Sequence, residues 1–271
     1  MQLSPVLAEL AQYPFARLDS WKAEAAAKGI DLIDFGMGDP REPTPAFIRE
    51  ALELGVGMID TAYTYTGGQS EQTIGEALSP IPESCLVATK GGYAPGTGRP
   101  EVLRTQIDES LRRLKTDEID LYYLHRVHED TLLQDSVGTI AAYHDAGKIR
   151  HVGLSQVGID QIEQAREIVT ITAVQNHYNL SERGWDEVVD HCAGEGIVFV
   201  PYFPLKGGGG RAVDEIATQR GATAAQIRLA WLLRRSPATL PIPGTLSIAH
   251  LKENLAALES ELTDAEFDAL S

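Results

Sequence analysis

The stretch "IDLYYLHRVHEDTLLQDSVGTIAAYHDAGKIRHVGLS", residues 119–155, holds the pattern that decides the fold. It begins with a short apolar run (119–125), continues through an amphipathic stretch (135–147) and ends in a second apolar run (151–155). Parallel strands that are buried on both faces have near-continuous apolar sequences, and a helix connects each strand to the next. The stretch therefore predicts a strand, a helix and a second strand parallel to the first.

The same alternation recurs along the chain. Further apolar runs lie at 32–37, 57–60, 85–90, 171–176, 197–202 and 239–244, and further helical patterns lie at 45–55, 99–115, 157–168 and 224–235. This repetition of strand and helix predicts an α/β fold, specifically a (β/α)8 TIM barrel. A doubly wound sheet is the main alternative. It usually has fewer strands and a GxGxxG turn after the first, which "GMGDPR" (36–41) does not match.

The chain has 271 residues, which is long enough for one large domain or two small ones. The first ~30 residues add a helical segment, and no Pro/Ser-rich linker separates it from the rest. We therefore predict a single domain over 1–271, in which the extra N-terminal helical segment covers the closed end of the barrel.

Composition excludes several classes of protein. A net charge of -16 argues against a nucleic-acid partner, because phosphates would be repelled. No apolar run approaches the roughly 18 residues of a membrane helix, and the N-terminus does not look like a secretion signal. Cys85 and Cys192 lie in apolar surroundings without CxxC or HExxH spacing, so we expect reduced thiols and no metal site. The predicted location is the cytoplasm.

Four side chains follow successive predicted strands: Asp60, Tyr65, Lys90 and His125. Active residues of such barrels lie at the C-terminal ends of strands, so we expect these four to meet at one mouth. Tyrosine, with a pKa near ~10, is a poor acid unless a nearby ammonium favours the phenolate. An aspartate would keep that lysine charged, and a histidine would donate a hydrogen bond to a carbonyl oxygen.

Each of the four has an ordinary structural interpretation when it is taken alone. Asp60 fits a helix or loop cap, Tyr65 a surface aromatic, Lys90 a solvated strand end and His125 a hydrogen-bonded core histidine. Their occurrence at related positions favours a catalytic site instead.

The motifs around these residues resemble those of the aldo-keto reductase family. "ALELGVGMIDTAYTYTGGQSEQTIGEAL" (51–78) resembles the family signature, "LVATKGG" (86–92) its lysine strand and "TDEIDLYYLHR" (116–126) its histidine strand. The resemblance continues in order to the C-terminus and covers about 51–271. It implies reduction of aldehydes and ketones by NAD(P)H, in which Tyr65 supplies the proton, Lys90 and Asp60 tune it, and His125 orients the carbonyl.

The resemblance also implies a set of cofactor contacts. Ser155, Gln156 and Gln175 would bind the nicotinamide amide, and Tyr202 would stack on its ring. The glycine-rich loop "LKGGGGR" (205–211) would cross the pyrophosphate, although a plain flexible loop explains it equally well. The stretch 243–254 would hold the adenosine phosphate. The remaining candidate residues in these segments are Pro204, Leu205, Gly207, Arg211, Pro243, Gly244, Thr245, Ser247, His250, Glu253 and Asn254.

Three positions depart from the family pattern. Gln156 stands where the family often has asparagine, Gly244 where a basic residue is frequent, and His250 where an arginine usually faces the 2′-phosphate. The last two changes remove charges that select NADPH. Thr245, Ser247 and Arg211 would compensate in part. The resemblance implies NADPH as the expected cofactor, because branches of the family with "IPG" and a His or Asn in this helix use it, and NADH is the alternative.

Residues 1–50 resemble a different family. "YPFARLDSWKAEAAAKGIDLIDFGMGDPREPTPAFIREAL" (13–52) is similar to the N-terminal segment of class I pyridoxal-phosphate aminotransferases. The chain is then a chimera joined near 48–54, and the foreign segment supplies the N-terminal helix, strand one (32–37) and the start of helix one. That family's Ser-x-x-Lys segment, which forms the Schiff base, has no counterpart in this sequence.

The leading hypothesis is therefore an active reductase of small carbonyl compounds, monomeric or weakly dimeric. An NADP(H)-binding barrel with little turnover is the alternative, because strand one is foreign. An aminotransferase-like protein is a remote third.

Overall fold

The computed structural model describes residues 45–208 and 210–271. The predicted N-terminal helical segment and the strand at 32–37 lie outside the described residues. The strands are β1 (Met58–Asp60), β2 (Leu86–Gly91), β3 (Ile119–Leu124), β4 (Ile149–Ser155), β5 (Ile171–Gln175) and β6 (Val198–Phe199). The helices are α1 (Pro45–Glu53), α2 (Gln69–Leu78), α3 (Pro100–Leu114), α4 (Leu133–Asp145), α5 (Ile159–Arg166), α6 (Asp186–Glu195), α7 (Gly210–Arg220), α8 (Ala224–Arg235), α9 (Ile248–Leu255) and α10 (Asp264–Leu270). Short 3₁₀ segments lie at Tyr65–Gly68 and Ala256–Glu259.

The strands form one parallel sheet in the order of the chain, β1-β2-β3-β4-β5-β6. Each strand is followed by at least one helix, so the described part is a half-barrel of β/α units with helices around it. All the carboxyl ends of the strands therefore lie at the same edge of the sheet.

The predicted strand at 239–244 is wrong in this structure. Only Thr239 forms a parallel bridge, to Phe199, flanked by a hydrogen bond from the Leu240 amide to the Phe199 carbonyl oxygen at 2.8 Å. Pro241 and Pro243 follow at once. Proline has no N–H to donate to the ladder, so the pairing stops after one residue. The predicted strand at 197–202 is likewise shortened to β6, with a separate bridge at Tyr202.

The two faces of the sheet carry different side chains. One face presents Val87, Tyr122, Leu124, Val152 and Val174, which pack in a large core with buried residues of the helices. The opposite face presents a smaller cluster of Ala88, Leu121, Tyr123 and Ala173. Because side chains alternate along a strand, the second face continues at the carboxyl ends to Asp60, Lys90, His125, Ser155 and Gln175.

Gly153 in β4 lets Tyr123 occupy this inner face. A Cβ at Gly153 would lie 2.4 Å from Tyr123 Cδ1, closer than any side chain tolerates. Tyr123 is fully buried there, and its ring centroid lies 5.9 Å from Lys90 Nζ. The glycine thus makes room for the Tyr123 ring, which packs beneath the polar side chains at the strand ends.

Candidate active site

A buried ion pair joins the ends of the first two described strands. Lys90 Nζ donates to Asp60 Oδ1 at 2.5 Å and to the Thr61 carbonyl oxygen at 2.7 Å. The second carboxylate oxygen, Asp60 Oδ2, accepts from Gln175 Nε2 at 2.9 Å. Lys90 is 1% exposed, so its orientation is fixed by these contacts. Two of the predicted catalytic residues are thus brought together, and the predicted cofactor residue Gln175 joins them.

Burial and charge act in opposite directions on Lys90. Burial lowers the pKa of its ammonium, and the negative charge and hydrogen bond of Asp60 counteract that effect. The positive charge of Arg126 lowers this pKa further. Because the Asp60 carboxylate is within direct hydrogen-bond distance, the pair is held together as ammonium and carboxylate.

His125, directly after β3, is buried and neutral. It is 6% exposed, and burial, reinforced by the charges of Lys90 and Arg126, lowers the pKa of its imidazole to about 3. Its Nδ1 atom is buried without a hydrogen-bond partner among the described residues. The ring packs against Tyr93, with centroids 4.8 Å apart, and against the edge of Tyr65, at 6.3 Å.

Tyr65 lies at the start of the 3₁₀ segment that follows β1. Its side chain is 41% exposed, and its ring centroid is 5.3 Å from Lys90 Nζ. The structure therefore brings all the residues predicted to be catalytic into one cluster, with Lys90 between Asp60 and Tyr65. Of these side chains Tyr65 reaches furthest towards solvent.

The loop that carries Tyr65 is fastened to α3 by Arg113, which sequence reasoning missed. Arg113 Nη1 donates to the Tyr63 carbonyl oxygen at 3.2 Å and to Glu71 Oε2 at 3.1 Å, and Nη2 donates to Glu109 Oε2 at 3.1 Å. The guanidinium carbon also lies 4.4 Å from the Tyr63 ring centroid. A Cβ at Gly68 would lie 2.4 Å from this carbon, so the close approach requires glycine.

The predicted nicotinamide residues cluster at the ends of β4 and β5, and each has a protein partner. Ser155 Oγ accepts from Arg126 Nη1 at 3.0 Å, and Gln156 Oε1 accepts from the His177 amide at 2.6 Å. Tyr202 stacks on His177 with centroids 5.2 Å apart and planes inclined by 12°. Gln156 has φ of 56°, a left-handed conformation that turns the chain directly after β4.

The glycine-rich loop is anchored by close packing. Cβ atoms at Gly207 and Gly208 would lie 2.9 and 2.7 Å from Ser181 Oγ, and Arg228 Nε donates to the Gly208 carbonyl oxygen at 3.3 Å. Pro204 is buried and Leu205 is half-buried. Arg211 lies at the start of α7, 90% exposed, and its Nε donates to Glu215 Oε1 at 2.5 Å. The loop therefore passes close to the segment after β5, with its arginine directed to solvent.

The segment predicted to hold the adenosine phosphate forms a turn and a capped helix. Ser247 is the N-cap of α9, and its side chain accepts from the His250 amide at 3.4 Å. Thr245 Oγ1 accepts from the Ser247 amide at 3.1 Å. Gly244 and His250 are exposed, Pro243 and Glu253 are half-buried, and Asn254 is buried. Among the described residues, no contact joins this segment to the catalytic cluster.

Arg126, which follows His125, is the second functional candidate that sequence reasoning missed. Arg126 is the last residue of the motif "LHR", but its charge and its place in the sequence do not show that its guanidinium turns towards the catalytic cluster. Its Nη1 bonds to both Ser155 Oγ and the His125 carbonyl oxygen, at 3.0 and 2.8 Å.

A concavity of about 630 Å³ lies at the other end of the strands and is separate from this cluster. Its lining includes Cys85, Lys115, Asp120, Arg150 and His151. Within the described ranges no group of His, Cys, Asp and Glu side chains is arranged to hold a metal, and no helix is long and apolar enough to cross a membrane.

The chain belongs to the aldo/keto reductase family, whose sequence pattern matches residues 38–271. It is 37% identical to an uncharacterized oxidoreductase of Schizosaccharomyces pombe, over 85% of this chain and 78% of that protein. It is also 37% identical to pyridoxine 4-dehydrogenase of Escherichia coli, over 94% of this chain and 93% of that protein.

Solved structures agree with this assignment. The chain superimposes on an aldo/keto reductase from Klebsiella pneumoniae, crystallised with NADP and acetate, with a TM-score of 0.77 and 29% identity. The superposition covers 86% of this chain and 87% of that one. The family match begins before residue 51 and runs through the predicted junction at 48–54. None of these comparisons supports an aminotransferase segment or a chimera.

Proposed function

We propose that the protein is an NAD(P)H-dependent reductase of small aldehydes and ketones. The observation that carries the proposal is the position of Lys90 Nζ, which is buried between the Asp60 carboxylate and the Tyr65 ring. A structural ion pair has no need of an exposed phenol beside it, whereas a proton donor to substrate has to reach solvent. The neutral imidazole of His125 completes the arrangement.

Each residue then has a definite task. Tyr65 donates a proton to the carbonyl oxygen of the substrate, and the positive charge of Lys90 stabilises the negative charge that is left on the phenol oxygen. Asp60 keeps Lys90 charged and in place. His125, neutral at physiological pH, donates an N–H hydrogen bond that orients the carbonyl. NADPH, when bound, supplies the hydride.

The residues at the ends of β4 and β5 fit a nicotinamide amide. Ser155, Gln156 and Gln175 each use one side-chain hydrogen bond in the protein and retain capacity for a ligand. His177 stacks on one face of Tyr202, and we propose that the Tyr202 ring also stacks on the nicotinamide. We propose that 204–211 crosses the pyrophosphate and that the segment 243–254, with the N-terminus of α9, holds the adenosine phosphate.

NADPH is the proposed cofactor, with NADH as the alternative. The Klebsiella relative was crystallised with NADP, which supports this choice. Arg211 forms an ion pair with Glu215. We therefore propose that Ser247, Thr245 and His250 bind the 2′-phosphate instead. The ratio of Kd values for NADH and NADPH, measured by fluorescence quenching, tests the choice directly.

We further propose one domain over 1–271, a (β/α)8 barrel in which the last strand position is reduced to the bridge at Thr239, a monomer or weak dimer, and a cytoplasmic location. The comparisons give no support to an aminotransferase-like origin of 1–50, since the aldo/keto reductase match already includes 38–50.

The test measures loss of NADPH absorbance with 4-nitrobenzaldehyde as substrate. We expect Tyr65→Phe to lower kcat by about 100-fold or more, because it removes the proton donor and little else. Pyridoxal belongs in the same assay, since the Escherichia coli relative is a pyridoxine 4-dehydrogenase. If the wild type does not exceed Tyr65→Phe with any carbonyl substrate but still binds NADPH, the binding barrel with little turnover replaces this proposal.

A further inference from the structure

Arg126 places an uncompensated positive charge beside the catalytic cluster. Its guanidinium carbon lies 5.8 Å from the ring centroids of both Tyr93 and Tyr202, so the group sits between two aromatic side chains. Within 45–208 and 210–271 no carboxylate comes within ion-pair distance of it. Other arginines of the described sheet region, such as Arg113 and Arg150, do have carboxylate partners.

The hydrogen bonds of Arg126 leave part of its donor set unused. Two of its bonds come from Nη1, to Ser155 Oγ and to the His125 carbonyl oxygen. Burial raises the pKa of the Tyr202 phenol, and the positive charge of Arg126 and a hydrogen bond with its guanidinium oppose that rise. These partners are all uncharged. A guanidinium has five N–H donors in a fork that matches a carboxylate, so an anion can still bind through its other edge.

The local charge balance also favours an anion. The charge of Lys90 is matched by Asp60, and His125 is neutral, so Arg126 is the surplus cation of the described cluster. This contrasts with the net charge of -16 for the whole chain. Glu182 influences Tyr202 electrostatically but forms no ion pair with Arg126. Arg126 is half-buried, so its guanidinium can be reached by a ligand from solvent.

We propose that Arg126 binds the carboxylate of the substrate, and that the preferred substrates are aldehydes or ketones carrying a carboxylate group. This inference rests on the proposed reductase function and adds the substrate class to it. The carbonyl faces Tyr65 and His125, and the carboxylate lies on the Arg126 side of the mouth, next to Tyr93, because Tyr202 is the proposed stacking partner of the nicotinamide. The planar carboxylate suits the fork of arginine better than the point charge of a lysine would.

The experiment compares each acid with its own methyl ester. The pairs are 4-carboxybenzaldehyde with methyl 4-formylbenzoate, and succinic semialdehyde with methyl 4-oxobutanoate, which differ in the distance from carboxylate to carbonyl. For the wild type we expect the acid of at least one pair to have the higher kcat/KM, by about tenfold. In Arg126→Met this acid-to-ester ratio falls about tenfold or more, mainly through KM, and Arg126→Lys is intermediate.

A matched control is Arg150→Met, at the opposite end of the strands, where the side chain is bonded to Glu118 and Asp120. It removes the same charge and should not change the acid-to-ester ratio. The ratio is insensitive to cofactor affinity, because acid and ester use the same NADPH. An unchanged ratio in Arg126→Met, or equal loss with acid and ester, overturns the proposal and makes Arg126 a support for Ser155.

Failure of the reductase function itself would look different. Neither acid nor ester would then be turned over faster by the wild type than by Tyr65→Phe. Calorimetric titration of the NADPH-saturated protein with benzoate still tests Arg126 in that case. We expect benzoate to bind the wild type about tenfold more tightly than Arg126→Met, and equal affinities would reject the site.

Discussion

His125 differs from an ordinary histidine because the fold keeps it uncharged. Burial between Tyr93 and Tyr65, together with the nearby positive charges, lowers its pKa to about 3. An imidazole with this pKa is a neutral N–H donor throughout the physiological range, which suits the proposed role of orienting a carbonyl. Protonation would place a second unmatched cation next to Lys90 and Arg126.

This shifted pKa predicts a specific loss of stability in acid. The folded pKa lies below the ordinary value of 6.5, so His125 contributes stability that is fully present above pH 6.5 and is lost as the pH falls towards 3. Between pH 7 and pH 4 we expect the wild type to lose about 3 kcal/mol more free energy of unfolding than His125→Gln. Urea unfolding of both proteins at the two pH values measures the difference.

His128→Gln is the control, since it removes a histidine three positions further along that bonds to the Tyr93 carbonyl oxygen. It should follow the wild type at both pH values. If His125→Gln also loses stability in parallel with the wild type, the imidazole is not held neutral by the fold.

The residues of the site could be predicted from sequence to different extents. Asp60, Lys90 and His125 follow directly from their positions at strand ends, because parallel strands share one carboxyl edge. Arg126 and Arg113 could not be found in this way. Periodicity identifies which face a residue occupies, but a long charged side chain can turn its head into the protein or out to solvent.

At the scale of elements, apolar runs predicted the strands well where the backbone could continue to pair. The strands from β1 to β5 agree with the predicted runs to within about two residues, which is the usual precision of strand ends. The run at 239–244 failed because an apolar sequence with two prolines cannot donate the hydrogen bonds of a strand. Hydrophobicity alone therefore overestimates strand content at such segments.

Helix α3 determines where the Tyr65 loop lies, through Arg113. We expect Arg113→Met to lower the free energy of unfolding by about 3 kcal/mol, because it leaves the fully buried carboxylate of Glu71 without its charged partner. Freed from the Tyr63 carbonyl, the loop also holds Tyr65 less firmly, so kcat falls as well. Urea unfolding and the 4-nitrobenzaldehyde assay measure the two effects.

Arg112 provides the matched control, since it is the exposed neighbour of Arg113 on the same helix. Arg112→Met should change stability by no more than about 0.5 kcal/mol and leave kcat unaltered. A stability loss in Arg113→Met without any fall in kcat would mean that the network supports the fold but does not position the loop.

At the scale of the whole molecule, net charge and local charge give different information. The chain is strongly acidic, yet the described cluster at the strand ends has a surplus cation in Arg126. Net charge influences the solubility of a protein and determines which charged macromolecules it repels. The net charge contains no information about which ligand a single site binds, because the charge of a site depends on which side chains the fold brings together.

Strand β1 lies at an edge of the described sheet, which bears on how the barrel closes. Among the described residues β1 has a hydrogen-bonded neighbour on one side only, β2. An open edge of a parallel sheet exposes unpaired N–H and C=O groups and invites aggregation. The sequence predicts a further strand at 32–37, just ahead of the start of the family match at residue 38.

We therefore expect a chain that starts at residue 38 to be less stable than one that starts at residue 30, which keeps the predicted strand but lacks the N-terminal helical segment. A truncation that removes a strand of a sheet exposes an edge, lowers the urea midpoint and produces aggregates in size-exclusion chromatography. The chain from residue 30 should keep most of the stability of the full chain. Equal midpoints for the two truncated chains would show that closure of the barrel does not depend on this strand.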